Sequence, residues 1–155
     1  MTISIGAFKR IILLFWAIWW LLAFLTDAIG ALKEIGAVAA PWLPHTNYPS
    51  LVESLAPYQV PGWLPPLLFA GIIAWSFAST LLFAQAAATP REPAERWRRR
   101  VNNAFIVSLS LWLAFFIADQ IVMKFALEQN HMVQGGFQLL TFLAIHLVPD
   151  EPPRS

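Results

Sequence analysis

Between Arg91 and Arg100 lie five of the ten lysines and arginines in the chain, and the block sits between two apolar stretches each long enough to cross a bilayer. About 20 apolar residues suffice for a crossing. Short loops rich in Lys and Arg stay on the cytoplasmic side, so this one block orients every other segment. With both termini on that same side, Lys9, Arg10, Arg91, Arg96, Arg98, Arg99, Arg100 and Arg154 lie inside, and only Lys33 and Lys124 lie outside. That asymmetry predicts an all-α bundle of four transmembrane helices with N and C termini cytoplasmic.

Composition agrees with a membrane solvent. Of 155 residues, 58% are hydrophobic and 12% charged, with a mean hydropathy of +0.60. Soluble domains carry about 25% charged residues. A net charge of +1 gives no general case for nucleic acid. The absence of cysteine excludes disulfides, thiolate metal sites and cysteine catalysis.

The apolar runs place spans at about 11–31, 64–88, 101–123 and 131–148, within a single integral membrane domain. An Ala37-Val38-Ala39 triplet has the form of a signal-cleavage site. However, the first apolar run exceeds the ~7–15 residues of a signal core, and Asp27, Lys33 and Glu34 intervene, which favours a retained span. An outer loop, 32–63, is rich in proline. Ser50 and Glu53 fit a capping box there, predicting a short interfacial helix stopped by Pro57. Trp42, Tyr48, Tyr58 and Trp63 suit headgroup depth. In the second span Ala70, Ala74 and Ala78 offer a small-residue face for another helix. The basic loop, 89–100, leads to a third span for which Asn102 or Asn103 is the expected cap. Asn130 is the expected cap of the fourth.

Ionisable groups within spans are costly and become functional candidates by default. Asp27 and Asp119 fall at matching depths near the outer ends of the first and third spans. With Gln120, Lys124, Glu128 and His131 they form a candidate outer polar cluster. If the third helix continued, Lys124 and Glu128 would pair at i, i+4. Carboxylates with a histidine can relay protons or bind a divalent metal. Yet Glu128 to His131 is a lone Glu-x-x-His pair, whereas dimetal bundles use two. His131 and His146 stand 15 residues apart, ~22 Å along one helix, so they cannot hold one haem iron. Neither metal nor cofactor is implied. Gln134, Gln138 and Thr141 share one face of the fourth span and suit contacts between helices.

Four tryptophans, Trp19, Trp20, Trp75 and Trp112, fall near mid-span, where Trp is uncommon. They suit either helix packing or a layer that takes a flat lipidic ligand. There is no GxSxG motif and no Gly-rich phosphate loop.

Two stretches, "NY…PGWLPPLLFAGIIAW" and "ADQ…KF.LEQNHM…QLLTFLAIHLVPD", resemble small bacterial membrane proteins and are similar in broad outline to four-helix families such as the DoxX-like proteins. No family motif is matched residue by residue, so the resemblance carries over no function. The residues favour a non-enzymatic accessory or scaffold component of an assembly in the bacterial cytoplasmic (inner) membrane. Membrane lipids and other membrane proteins are its expected partners. The alternatives are a small transporter using the outer carboxylates and an enzyme acting on a lipid or quinone.

Overall fold

The computed structural model describes residues 4–44 and 46–149. It contains helices α1 (Ile5–Glu34), α2 (Asn47–Leu55), α3 (Leu64–Ala88), α4 (Ala94–Ile121) and α5 (Phe125–Leu147). A 3-10 turn, Ala56–Tyr58, follows α2. No strand occurs among the described residues. Three helices, α1, α3 and α4, are long and apolar enough to cross a membrane.

The helices outrun the apolar stretches, and the reason differs at each end. α1 begins at Ile5 because Ser4 caps it, its side chain accepting from the Ala7 N–H at 3.2 Å. It ends where Gly36 takes a φ of 73°, which lets Ala37 N bond Leu32 O across the terminus. α4 starts at Ala94, seven residues before the expected point. The basic block is therefore mostly helical, and the loop shortens to 89–93. Ala, Glu and Arg are strong helix formers, and Pro93 stands just before the first turn. Asn102 and Asn103 consequently lie inside α4 and cap nothing. Likewise α5 starts at Phe125, so Asn130 is an internal residue. In α2 the N-cap is Thr46 rather than Ser50, and no side chain caps it. Pro57 ends α2 through the 3-10 turn.

The long helices run antiparallel to their chain neighbours. Between α1 and α3 the meeting pairs are Arg10–Thr89, Trp16–Phe83 and Phe24–Phe77. Between α3 and α4 they are Arg100–Gln85 and Phe83–Phe105. Between α4 and α5 they are Asp119–His131, Trp112–Gln138 and Phe105–Phe142. In each series one number rises as the other falls. The rungs of the last series extend over about half of α5, from His131 to Phe142.

Buried positions recur at three and four residues. On α1 they are Lys9, Leu13, Trp16, Trp20, Asp27 and Gly30. On α4 they are Trp97, Val101, Ala104, Ser108, Leu111, Trp112 and Asp119. This is the spacing of helices crossing at a shallow angle. On α3 the packed face is Ser76, Ser79, Thr80, Phe83, Ala86 and Ala87. Ala70 and Ala74 face outward, so the expected alanine stripe is not the packing face. Small serines let α3 approach closely where the alanines were expected to do so.

Aromatic rings fill the centre. Trp16 touches Phe83 and Phe137, Phe83 touches Phe105, and Phe105 touches Phe142, which closes a circuit through α1, α3, α4 and α5. α5 packs tightly on α4 at Gly135, where a Cβ would lie 3.0 Å from Trp112 Cβ. Next to it, Gly136 has open space. Gly135→Val is therefore expected to overpack the interface and destabilise the protein by about 1–3 kcal/mol. Gly136→Ala should be neutral or slightly stabilising, since alanine favours helix by about 1 kcal/mol over glycine. Thermal unfolding in detergent checks both, and equal effects would contradict the interface.

Candidate functional site

The bundle has a basic end and an opposite end, and the opposite end holds the candidate polar cluster. Two helices deliver its carboxylates. Asp27 follows Trp20 by seven residues on α1, and Asp119 follows Trp112 by seven on α4. The rings of Trp20 and Trp112 lie 5.5 Å apart. Two helical turns, about 10 Å, beyond that contact, both carboxylates stand at one height. Both are buried.

Each is held by a different partner. Asp119 Oδ2 lies 2.6 Å from His131 Nδ1 of α5. An ionised carboxylate only accepts, so Nδ1 is the donor in this contact. Phe115 stacks on the imidazole at 4.6 Å and 18°, and Trp112 lies behind it at 5.8 Å. The ring therefore has a fixed orientation. Asp27 Oδ1 accepts from Asn47 Nδ2 of α2 at 2.7 Å.

The remaining members brace the outer segment. α4 breaks at residues 122–124, with Met123 at a φ of 55°. That break removes Lys124 from the expected helical face and from Glu128. Lys124 Nζ instead lies 3.6 Å from Glu53 of α2. Glu128 accepts from Gln120 Nε2 at 2.7 Å, so those two meet across the turn. The Tyr58 hydroxyl donates to the Ile121 carbonyl. Lys33 Nζ donates to the Leu43 carbonyl at 2.7 Å. Three contacts thus tie α2 and its 3-10 turn to the bundle: Asn47 to α1, Glu53 to the α4–α5 turn and Tyr58 to the end of α4. Sequence reading missed Asn47, Glu53 and Tyr58 as members of the cluster, because nothing local marks them as partners. Trp42 and Trp63 stay exposed on this end. His45 lies outside the described residues.

Three of the four mid-span tryptophans do converge. Trp19 meets Trp20 at 4.8 Å and Trp112 at 5.6 Å. Trp75 stands apart, donating from Nε1 to the Val107 carbonyl at 2.8 Å and partly exposed. Trp16, which the sequence reading did not single out, joins the layer instead. Its position on the same stripe as Trp20 and Asp27 was the available signal.

Indole N–H groups tie this layer to α5. Trp112 Nε1 donates to Gln138 Oε1 at 2.9 Å, and Trp16 Nε1 donates to Thr141 Oγ1 at 2.8 Å. Gln138 and Thr141 thus face inward as expected, whereas Gln134, expected on the same face, bonds Asn130 of its own helix. Trp20 Nε1 and Gln138 Nε2 are buried without a hydrogen-bond partner.

A histidine oriented by an aspartate can act as a general base. A nucleophile is not assembled beside it. Ser108 and Ser110 donate to Ala104 and Ile106, carbonyls of the preceding turn. Among the described residues no three His, Asp or Glu side chains converge as a metal set. No family model, curated protein or solved structure matches this chain. The broad likeness to DoxX-like families therefore gains no family assignment.

The two kinds of contact differ in weight. Lys124 and Glu53 are both exposed, and such pairs contribute about 0–1 kcal/mol. Asp119 and His131 are enclosed, so removing either leaves a desolvated partner, at about 1–3 kcal/mol. Asp119→Leu and His131→Leu should each lower the unfolding temperature more than Glu53→Gln. A double-mutant cycle should give a coupling of about 0.5–3 kcal/mol for Asp119 with His131. Strict additivity of the two would contradict their pairing.

Proposed function

We propose that the protein is a non-enzymatic accessory or scaffold component of a membrane assembly, crossing the bacterial cytoplasmic membrane four times with both termini at the basic face. The observation that carries this reading is that several of its buried polar groups hold its own helices together. Asp119, Gln138 and Thr141 each bind a partner on another helix, and Asp27 binds the outer segment. The axis at mid-depth is occupied by Trp16, Trp20, Phe83 and Phe105, all essentially inaccessible. A solid aromatic layer at that depth favours a rigid module over a conduit, and so counts against the transporter alternative.

The same pairings support a fourth crossing. α5 has 23 residues, about 34 Å at helical rise, which is sufficient for a ~30 Å hydrocarbon core. Its longest apolar stretch falls short of those of the other three. Its His131, Gln138 and Thr141 side chains, however, bond α4 and α1, and its outward face carries Val133, Phe137, Leu140 and Leu147. Polar groups bonded within the bundle cost far less than polar groups facing lipid.

Large apolar side chains also cover the outward faces of α1, α3 and α4. Neighbouring membrane proteins can pack on such faces, and the exposed Trp42 and Trp63 provide anchors at the outer boundary. The test is native purification after mild crosslinking in the membrane. The reading expects a stable stoichiometric partner. Recovery of a lone monomer, with vesicles that become permeable to ions or solutes when the protein is added, would overturn it in favour of transport.

A further inference from the structure

The basic end contains a cleft that the scaffold reading does not use. It has a volume of about 540 Å³ and lies between the first turns of α1 and the α3–α4 turn. Its walls are Ser4, Gly6, Arg10, Ile11, Leu14 and Arg91. The two arginines are positioned by the protein. Arg10 Nη2 donates to the Thr89 carbonyl at 3.4 Å. Arg91 stands with its guanidinium carbon 5.0 Å from the centre of the Trp97 ring. It also rests against α1 at Gly6, where a Cβ would come within 2.3 Å of Arg91 Nη1. A guanidinium offers five donors, so the contact with Thr89 leaves most of those of Arg10 for a ligand.

The other wall is apolar. Ile11 and Leu14 are about half exposed, at 50% and 46%, and they lead from the arginines toward the middle of the bundle. The cleft is thus cationic at its mouth, at headgroup level, and apolar along its length. We propose that it is a binding site for an anionic glycerophospholipid, with the phosphate between Arg10 and Arg91 and an acyl chain along Ile11 and Leu14. A soluble anion would use the arginines and leave the apolar wall without a role. A zwitterionic lipid would gain from the wall and lack the net charge that two arginines favour.

A second basic pair allows the site to be separated from general surface charge. Arg98 and Arg99 line a different hollow with Glu95, Asn102 and Asn103. A carboxylate in that hollow disfavours an anion. Removing either pair of arginines changes net charge equally, so diffuse attraction predicts equal losses. Gly6→Ala supplies a third, charge-neutral variant. It must move only the flexible end of Arg91, and alanine is a better helix former than glycine, so the fold tolerates it.

The experiment measures binding of phosphatidylglycerol to the full-length protein in detergent by native mass spectrometry. Phosphatidylcholine and inorganic phosphate serve as comparison ligands. The Arg10→Gln/Arg91→Gln variant should lose phosphatidylglycerol affinity on the order of tenfold. Arg98→Gln/Arg99→Gln should change it by less than about twofold, and Gly6→Ala should lower it measurably. Phosphatidylcholine should bind more weakly to the native chain, and millimolar phosphate should not compete. Equal losses from both arginine pairs, or an unchanged Gly6→Ala, would overturn the site in favour of diffuse charge. Displacement by phosphate alone would overturn the lipid assignment.

Discussion

The hydrogen bond from Trp112 Nε1 to Gln138 Oε1 joins α5, the long helix whose own apolar stretch falls short of a span, to the buried aromatic layer of the bundle. An unpaired amide in hydrocarbon is costly, so Gln138 on a lone helix would oppose insertion. Turned toward Trp112, the same amide becomes a tie. Trp16 with Thr141 and Asp119 with His131 repeat the device a turn or more away on either side. Three polar contacts at successive depths fix both the rotation of α5 and its register against α1 and α4. Between helices in lipid no hydrophobic drive remains, so close packing and such bonds decide which faces meet. Gly135 permits the approach by leaving room for the Trp112 side chain.

The polar ends depend on that register. Asp27 and Asp119 stand level because each lies seven residues beyond a tryptophan of the same layer. Their height brings Asp27 to Asn47 and Asp119 to His131, so one carboxylate secures the outer helix and the other secures α5. At the basic end the same antiparallel order sets Arg91 against Gly6 and Trp97. Outer brace, aromatic layer and basic cleft are consequences of one packing arrangement rather than independent features.

Much of this was legible in the residues, and the reasons are physical. Helical spacing places Asp119 on the stripe that carries Trp97, Val101, Ala104 and Trp112, so its inward direction follows from periodicity. Depth counting set Asp27 and Asp119 level before any contact was known. Gln138 and Thr141 likewise declared an inward face. What escaped was tertiary choice. Lys124 was within reach of Glu128 only along an unbroken helix, and the turn at Met123 gives it Glu53 instead. Trp75 resembles the other mid-span tryptophans in the sequence, yet it projects from the rim of α3 and not into the layer. The basic block read as a loop because charge was weighed as topology, although its Ala, Glu and Arg favour helix.

The central proposal is that α5 crosses the membrane with His131, Gln138 and Thr141 bonded to other helices of the bundle. The chain has no cysteine, so single substitutions report sidedness directly. Thr89→Cys, Gly36→Cys and Pro149→Cys would be labelled in intact cells with an impermeant maleimide, before and after permeabilisation. The account predicts that residue 36 reacts from outside and that residues 89 and 149 react only once the cells are opened. Labelling of residue 149 from outside, together with residue 36, would mean that α5 does not cross.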